Sequence, residues 1–379
     1  MDSILEDIRI VDLTHNYFGP YCTMLLADMG AKVIKIEPPW GEILRFRPPL
    51  VEGVSTTFLY FNRNKKGMKI NLMTENGVKI FKELVKISDV VVENFAPGSM
   101  AGMGIGYKDL IEVNPNIIFA SLSGFGQTGP YAERRSYAPI AEAMSGYQRL
   151  NGDRVDPNGP PISSAESYGD LGPGLWAVFS ILAAIRYKDK TGHGQLLDVA
   201  QTDCMVALCG VAITNYTITG EMPWERRRKY MGYRGFGKLK AMDGYVEIAI
   251  PEHMRERLSV AMGVQEVPSS EDFQKWVETR TVDEVVKKCV EAKLPVAPIL
   301  SIDKTIQDPH ILERDMIVEI EHPTVGKIKT VNFPVKFSKT PSKIRSPPPL
   351  LGQHNDEILS ELLNYTAEEI SKLKDEGVI

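Results

Sequence analysis

Cysteine is scarce in this chain, charge of one sign is not in excess, and long apolar runs are missing. The 379 residues hold four cysteines, Cys22, Cys204, Cys209 and Cys289, with no CxxC pair. That excludes a disulfide framework and points to reduced thiols in a cytoplasmic protein. The histidines, at positions 15, 193, 253, 310, 322 and 354, form no HxH or HExxH pair, so no metal site is expected. Lys+Arg number 44 against 49 Asp+Glu, a formal net charge of -5. This balance does not suit a protein that coats nucleic acid or an anionic membrane. No apolar run reaches the ~18 residues of a membrane span, and the acidic start through Asp7 lacks a signal-peptide core. No repeat or low-complexity stretch is present either. What remains is ordinary globular composition, 43% hydrophobic and 25% charged. The length predicts about two or three domains.

The hydrophobic pattern predicts alternating strands and helices. Ile8–Leu13 reads as a buried strand, Gly19-Pro20 as a turn, Tyr21–Asp28 as a helix and Lys32–Glu37 as the next strand. Such a unit implies a parallel sheet with a right-handed crossover. The pattern recurs with a strand at Lys69–Leu72, a helix at Glu75–Ile87, a strand at Val90–Glu93, a helix at Tyr107–Asn114 and a strand at Ile117–Leu122. The fold class expected is α/β: an open parallel, Rossmann-like sheet in a large domain, with a smaller α+β domain. Residues 131–165 read as polar and irregular. A helix is expected from about Gly172 to Tyr187, a strand over Gln195–Val199, and an apolar helix over 201–220. Further on come a strand at Tyr245–Ile250, a helical stretch at 253–293, a hairpin at 317–330 and terminal helices at 355–364 and 366–375.

In open α/β sheets ligands bind beyond the carboxyl ends of the strands. The polar turns there are Thr14-His15-Asn16, Glu93-Asn94-Phe95 and Ser123–Gly126. Gly124–Gly129 matches GxGxxG, but Pro130 and the polar run after it open no helix, so the match reads as a glycine turn. His15 serves equally as a turn histidine or a site residue. Arg226–Arg228 reads as a solvated linker face or, less simply, as a phosphate contact. Asp170 lies in Gly169-Asp170-Leu-Gly172-Pro-Gly174, just before an apolar helix. Such an aspartate is a helix cap or, ionised and oriented by the same helix start, a nucleophile or base. The glycines around it would let a ligand approach closely.

The motifs together resemble the family III CoA-transferases, the group that also holds formyl-CoA transferase, carnitine CoA-transferase and α-methylacyl-CoA racemase. The likeness is carried by Asp12–Thr14, Gly19–Pro38, Asn62–Lys66, Val92–Gly98, Ser121–Pro130, Gly169-Asp170, Thr191–Gln195, Asp308-Pro309, His322-Pro323 and Pro349–His354. It implies an interlaced homodimer whose large domain spans 1–200 and 331–379, with a linker at 201–234 and a small domain at 235–330. It implies acyl-CoA:carboxylate CoA transfer, with a CoA thioester as substrate, no prosthetic group and no metal. Asp170 is the implied nucleophile, passing through an aspartyl anhydride and an aspartyl-CoA thioester. Positions matching the family's CoA contacts are His15, Asn16, Tyr17, Leu72, Met73, Asn94, Phe95, Arg135 and Tyr137. The chain departs from the family pattern at Tyr17, Pro38 and Gly102, and residues 234–240 lack the glycine-run loop of formyl-CoA transferase.

Two other classes compete. An acyl-CoA isomerase or racemase would use Asp170 as one of two bases, or still as the nucleophile of an intramolecular CoA transfer between two carboxyls of one diacid, but the racemase histidine position holds Tyr137. An unperturbed tyrosine, with pKa near ~10, is a poor base. A CoA-binding subunit of a heteromeric transferase is the third reading.

Overall fold

The computed structural model describes residues 3–225 and 235–379; Arg226–Arg228 and Arg234 lie outside them. The chain divides into two compact units, Met1–Thr214 with Asp315–Ile379, and Asn215–Arg314. Residues 201–214 and the hairpin beyond Asp315 thus cluster with the first unit, not with a linker or a small domain.

Unit 1 opens with β1 (Arg9–Asp12), α1 (Phe18–Asp28) and β2 (Lys32–Glu37). Gly19-Pro20 is not a turn but the first turn of α1, where proline's missing N–H costs nothing. A tight helical turn at Ile43–Phe46 leads to the small hairpin β3 (Leu50–Val51) and β4 (Val54–Ser55), then α2 (Thr56–Phe61). β5 is Lys65–Lys69, not Lys69–Leu72. The strand was disguised because its first residue is a fully buried lysine, Lys65.

Next come α3 (Glu75–Lys86), β6 (Val90–Glu93), α4 (Ser99–Gly102), α5 (Tyr107–Val113) and β7 (Ile118–Ser123). The stretch expected to be irregular contains α6 (Ala138–Met144) and α7 (Tyr147–Val155). α8 runs over Tyr168–Thr191, four residues earlier than its apolar run suggests, and ends at Gly192 with φ +77°. That is the left-handed backbone a C-terminal glycine supplies. β8 (Leu196–Ala200) is followed by two helices, α9 (Gln201–Leu208) and α10 (Gly210–Thr219), rather than one.

The six parallel strands lie in the order β5-β2-β1-β6-β7-β8. With the hairpin set aside, this is the doubly wound order, and its reversal falls between β1 and β6. β1, β6 and β7 are buried along nearly their whole length, as near-continuous apolar strands of a covered parallel sheet are. Each fully buried Val, Ile or Leu contributes roughly 1.5–3 kcal/mol. One face packs Ile10, Val92 and Ala120 against α1 and α8; the other packs Val11, Val91 and Phe119 with Ile370, Leu373 and Val378 from the chain's end. The last helix, Ala367–Asp375, therefore finishes the sheet's second face.

Unit 2 holds an antiparallel sheet, β9 (Phe236–Lys240), β10 (Tyr245–Ala249) and β11 (Val296–Pro298), in the order β11-β10-β9. Its helices at Arg257–Met262, Ser270–Glu278 and Val282–Glu291 replace the single long helical stretch expected at 253–293. Gly263, with φ +71°, ends the first of them. Val246, Ile248, Phe273, Val277 and Val285 form its core. The chain then returns to unit 1 through the hairpin β12 (Ile317–His322) and β13 (Gly326–Val331). Among the described residues, α8 alone is long and apolar enough to cross a membrane, and 44% of its most apolar window is buried.

Candidate active site

The carboxyl ends of β1 and β6 lie side by side at the switch point, and their turns grip each other. The His15 backbone N–H donates to Asn94 Oδ1 at 2.9 Å, and Asn94 Nδ2 donates to the His15 carbonyl at 2.8 Å. The His15 ring rests against Phe95, with centroids 5.2 Å apart. Burial, helped by the nearby Lys35 ammonium, pushes the His15 pKa down to about 4. At neutral pH it is an uncharged packing ring. Asn16 has φ +63°, and its N–H donates to Glu42 Oε2 at 3.1 Å. The Tyr17 ring packs on Phe61, tilted by 42° with centroids 4.7 Å apart.

A buried ionic scaffold holds these turns. Lys65 Nζ lies 3.0 Å from Asp12 Oδ2 and also donates to the carbonyl of Pro20 and to Asn62 Oδ1. The hydroxyls of Thr14 and Thr23 donate to the same Asp12 carboxylate. Lys35 Nζ is 3.0 Å from Glu42 Oε1 and donates to the Thr14 carbonyl at 2.8 Å. Burial alone would raise the Asp12 pKa, but Lys65 and Lys35 outweigh it and hold the carboxyl far below the usual range. Burial pushes Lys65 down to about 8, with Asp12 opposing. Asp12 is therefore spent on structure.

Asp170 is built differently. It is the third residue of α8, inside the first turn, and the residue before the helix is Ser167. The expected capping role is corrected accordingly. The backbone N–H groups of this turn are also already used. Asp170 and Leu171 N–H donate to the Ser167 carbonyl, and Gly169 N–H donates to Glu142 Oε1 at 2.9 Å. Ser164 Oγ donates to Glu142 Oε2, and Glu142 itself is 3% exposed.

The group that does serve the Asp170 carboxylate is a side chain. Gln201 Nε2 donates to Asp170 Oδ1 at 2.5 Å, while Gln201 Oε1 accepts from Ser136 Oγ. Burial, then the Glu142 carboxylate, raise the Asp170 pKa to about 7, with Arg47 and the Gln201 hydrogen bond opposing. Asp170 thus sits near its midpoint at neutral pH instead of being held firmly as the anion. A carboxylate kept incompletely compensated in this way is what an active nucleophile or base requires.

The glycines beside Asp170 are packing residues rather than a ligand cradle. A Cβ on Gly169 would fall 2.3 Å from the Ala138 carbonyl oxygen, and one on Gly174 would fall 2.9 Å from Tyr21 Cδ1. They let α8 lie close to α6 and α1. The Gly124–Gly129 run is a glycine turn: Gly126, at φ +87°, donates to Ser123 Oγ, and no helix follows.

The expected contact positions are spread along the sheet's carboxyl edge. His15, Asn94 and Phe95 meet; Asn16 and Tyr17 continue the same loop. Leu72 packs on the second core cluster beyond β5, and Met73 beside it is 79% exposed. Arg135 is exposed, and Tyr137, 66% exposed, is the residue before α6. Sequence reasoning missed Glu142, Gln201 and Arg47. For Gln201 the signal was available, since it follows β8 as His15 follows β1. Among the described residues no group of three or more His, Cys, Asp or Glu side chains could hold a metal ion.

Comparison with known proteins identifies the family. Residues 5–355 match the model of CoA-transferase family III. The chain is 35% identical over 401 residues to human succinyl-CoA:glutarate CoA-transferase, covering 99% of this chain and 90% of that protein. It is 33% identical over 414 residues to the formyl-CoA:oxalate CoA-transferase of Streptomyces avermitilis, covering 100% of both. Among solved structures, a CAIB/BAIF family protein from Brucella suis superposes with a TM-score of 0.84 at 28% identity, covering 96% of this chain and 100% of that one.

Proposed function

Because the chain belongs to CoA-transferase family III, we propose that it moves CoA from an acyl-CoA to a free carboxylic acid, with Asp170 as the covalent relay. The observation that carries this reading is the Asp170 carboxylate, raised to about 7 and held by Gln201 at the rim of the sheet. In its ionised form it attacks the thioester carbonyl. The C–S bond breaks, CoA leaves as thiolate, and a mixed anhydride links Asp170 to the acyl group. The thiolate then attacks the Asp170 acyl carbon, releasing the donor acid and leaving an aspartyl-CoA thioester. The acceptor carboxylate attacks that thioester, forming a second anhydride. The returning thiolate takes the acceptor's acyl carbon, and Asp170 is regenerated. Aspartate is a weak nucleophile, so positioning supplies much of the rate. The Gln201 amide is the donor placed to stabilise the developing oxyanion.

CoA would lie along the carboxyl edge, across the turns bearing His15, Asn16, Tyr17, Leu72, Met73, Asn94 and Phe95, toward Arg135 and Tyr137. The switch-point position of the His15–Asn94 clamp supports this course. The interlaced homodimer is supported by apolar side chains left exposed on three successive helices, among them Phe179 (48%), Leu208 (55%) and Val211 (79%). All four cysteines are free and buried, which fits a cytoplasmic setting. The relatives named above act on glutarate and oxalate, both dicarboxylic acids, which supports a dicarboxylic substrate.

The test is direct. Incubation with an acyl-CoA and hydroxylamine should leave a hydroxamate at Asp170, detectable in the peptide by mass spectrometry. Full transfer by Asp170→Ala would refute the relay. A dimer mass in solution supports the interlaced assembly, and a monomer contradicts it.

A further inference from the structure

Arg47 has no role in the chemistry above, yet its charge acts on Asp170. The turn before it is rigid: Arg45 donates twice to Glu37, from Nε to Oε2 and from Nη2 to Oε1, at 2.6 Å each, and its guanidinium lies 4.0 Å over the Phe58 ring. Glu42, from the same segment, joins Lys35 and the Asn16 N–H. The Arg47 guanidinium carbon lies 5.1 Å over the Tyr17 ring, and Tyr17 packs at a tilt on Phe61. Leu171, the residue after Asp170, packs on the same aromatic cluster. So one continuous wall carries the nucleophile at one end and a guanidinium at the other.

Arg47 is exposed, and among the described residues no carboxylate pairs with it. Its charge nevertheless reaches Asp170, where it opposes the rise caused by burial and Glu142. Other cations in this part of the fold are engaged: Lys35 by Glu42, Lys65 by Asp12, Arg45 by Glu37 and Arg63 by Asp28. A planar donor fork held on an aromatic face, with its hydrogen bonds unspent, is a receptor for a carboxylate.

We propose that Arg47 reads the distal carboxylate of a dicarboxylic substrate while the near carboxyl, or its CoA thioester, faces Asp170. The proposal rests on the transferase reading and assigns its substrate class to one side chain. It also answers an electrostatic problem. A dianionic acid must approach two carboxylates, Asp170 and Glu142, and a cation at the other end of the same wall offsets that repulsion.

The experiment uses succinyl-CoA as donor and compares oxalate, malonate and glutarate, each beside its monoamide, which keeps the accepting carboxylate and has a neutral distal group. The wild-type enzyme should favour at least one diacid over its monoamide by ~10- to 100-fold in kcat/KM, the scale of a lost charge-assisted hydrogen bond. Arg47→Gln should bring that ratio close to one, and Arg47→Lys, which keeps charge without the fork, should fall between. Equal use of diacid and monoamide by the wild type overturns the inference alone, as does an Arg47→Gln enzyme that keeps the wild-type ratio. CoA transfer to none of these acids overturns the inference, and the hydroxylamine experiment separately decides whether the transferase reading falls with it.

Discussion

Asp12 and Asp170 are the same residue type in the same unit, both near the carboxyl edge of one sheet, yet their surroundings give them opposite properties. Asp12 receives two hydroxyls, the Thr14 N–H and the Lys65 ammonium, with Lys35 close by. It is a permanent anion. Asp170 receives one amide hydrogen bond and faces the Glu142 carboxylate, with Arg47 as partial relief. It titrates near neutrality. Residue type and burial therefore do not decide how a carboxylate is held; the completeness of its compensation does. A fully paired carboxylate gains nothing from reacting, whereas the proposed acyl bond at Asp170 would remove a charge that its site holds poorly.

Exchanging the features of these two sites should break the comparison in a graded way. Removing the reacting group comes first: Asp170→Ala should lower transfer by at least ~10³-fold with the fold intact by circular dichroism. Unpairing the structural aspartate should act on stability instead. Lys65→Met leaves the Asp12 carboxylate buried without its ammonium and should cost roughly 3–5 kcal/mol in denaturant unfolding. Lys65→Met combined with Asp12→Asn should recover part of that loss, because the stranded charge is gone. Opening the switch-point clamp is smaller. Asn94→Ala removes both hydrogen bonds to the His15 backbone and should raise KM for acyl-CoA by about tenfold, the scale of unsatisfied buried groups.

The mildest change is to the field at Asp170. Attack needs the ionised form, so kcat/KM should rise with pH through about 7. A neighbouring negative charge raises that pKa, so Glu142→Gln should lower it and move the acid limb to lower pH by about one unit. The amide oxygen still accepts a hydrogen bond from Gly169 or Ser164. An unmoved limb would show that Glu142 only fastens α6 to the start of α8.

The parts of this picture that the sequence made legible are those written in local pattern. β1, β2, β6 and β7 announce themselves as apolar runs, and Asp170 stands out at the mouth of an apolar helix. β5 was misplaced because Lys65 is buried by pairing rather than by being apolar. The helix α6 was missed because its buried side includes Glu142. The partners of Asp170 were not legible, since they come from elsewhere in the chain: Glu142 meets the Asp170 turn from 27 residues upstream, through Gly169, and Gln201 from 31 residues downstream. Only the packed sheet brings such positions together. The resemblance to a family marked Asp170 but could not show that its anion is poorly compensated, because that depends on which neighbours arrive.

The central claim is that the Asp170 carboxylate exchanges an oxygen with the acids it serves. In the relay, the donor acid leaves with one Asp170 oxygen, and the regenerated aspartate keeps one from the acceptor. Turnover with an acceptor acid labelled with oxygen-18 in its carboxylate should therefore place heavy oxygen in the peptide containing Asp170, and in donor acid released in later turnovers. Productive CoA transfer with no heavy oxygen at Asp170 would contradict the account.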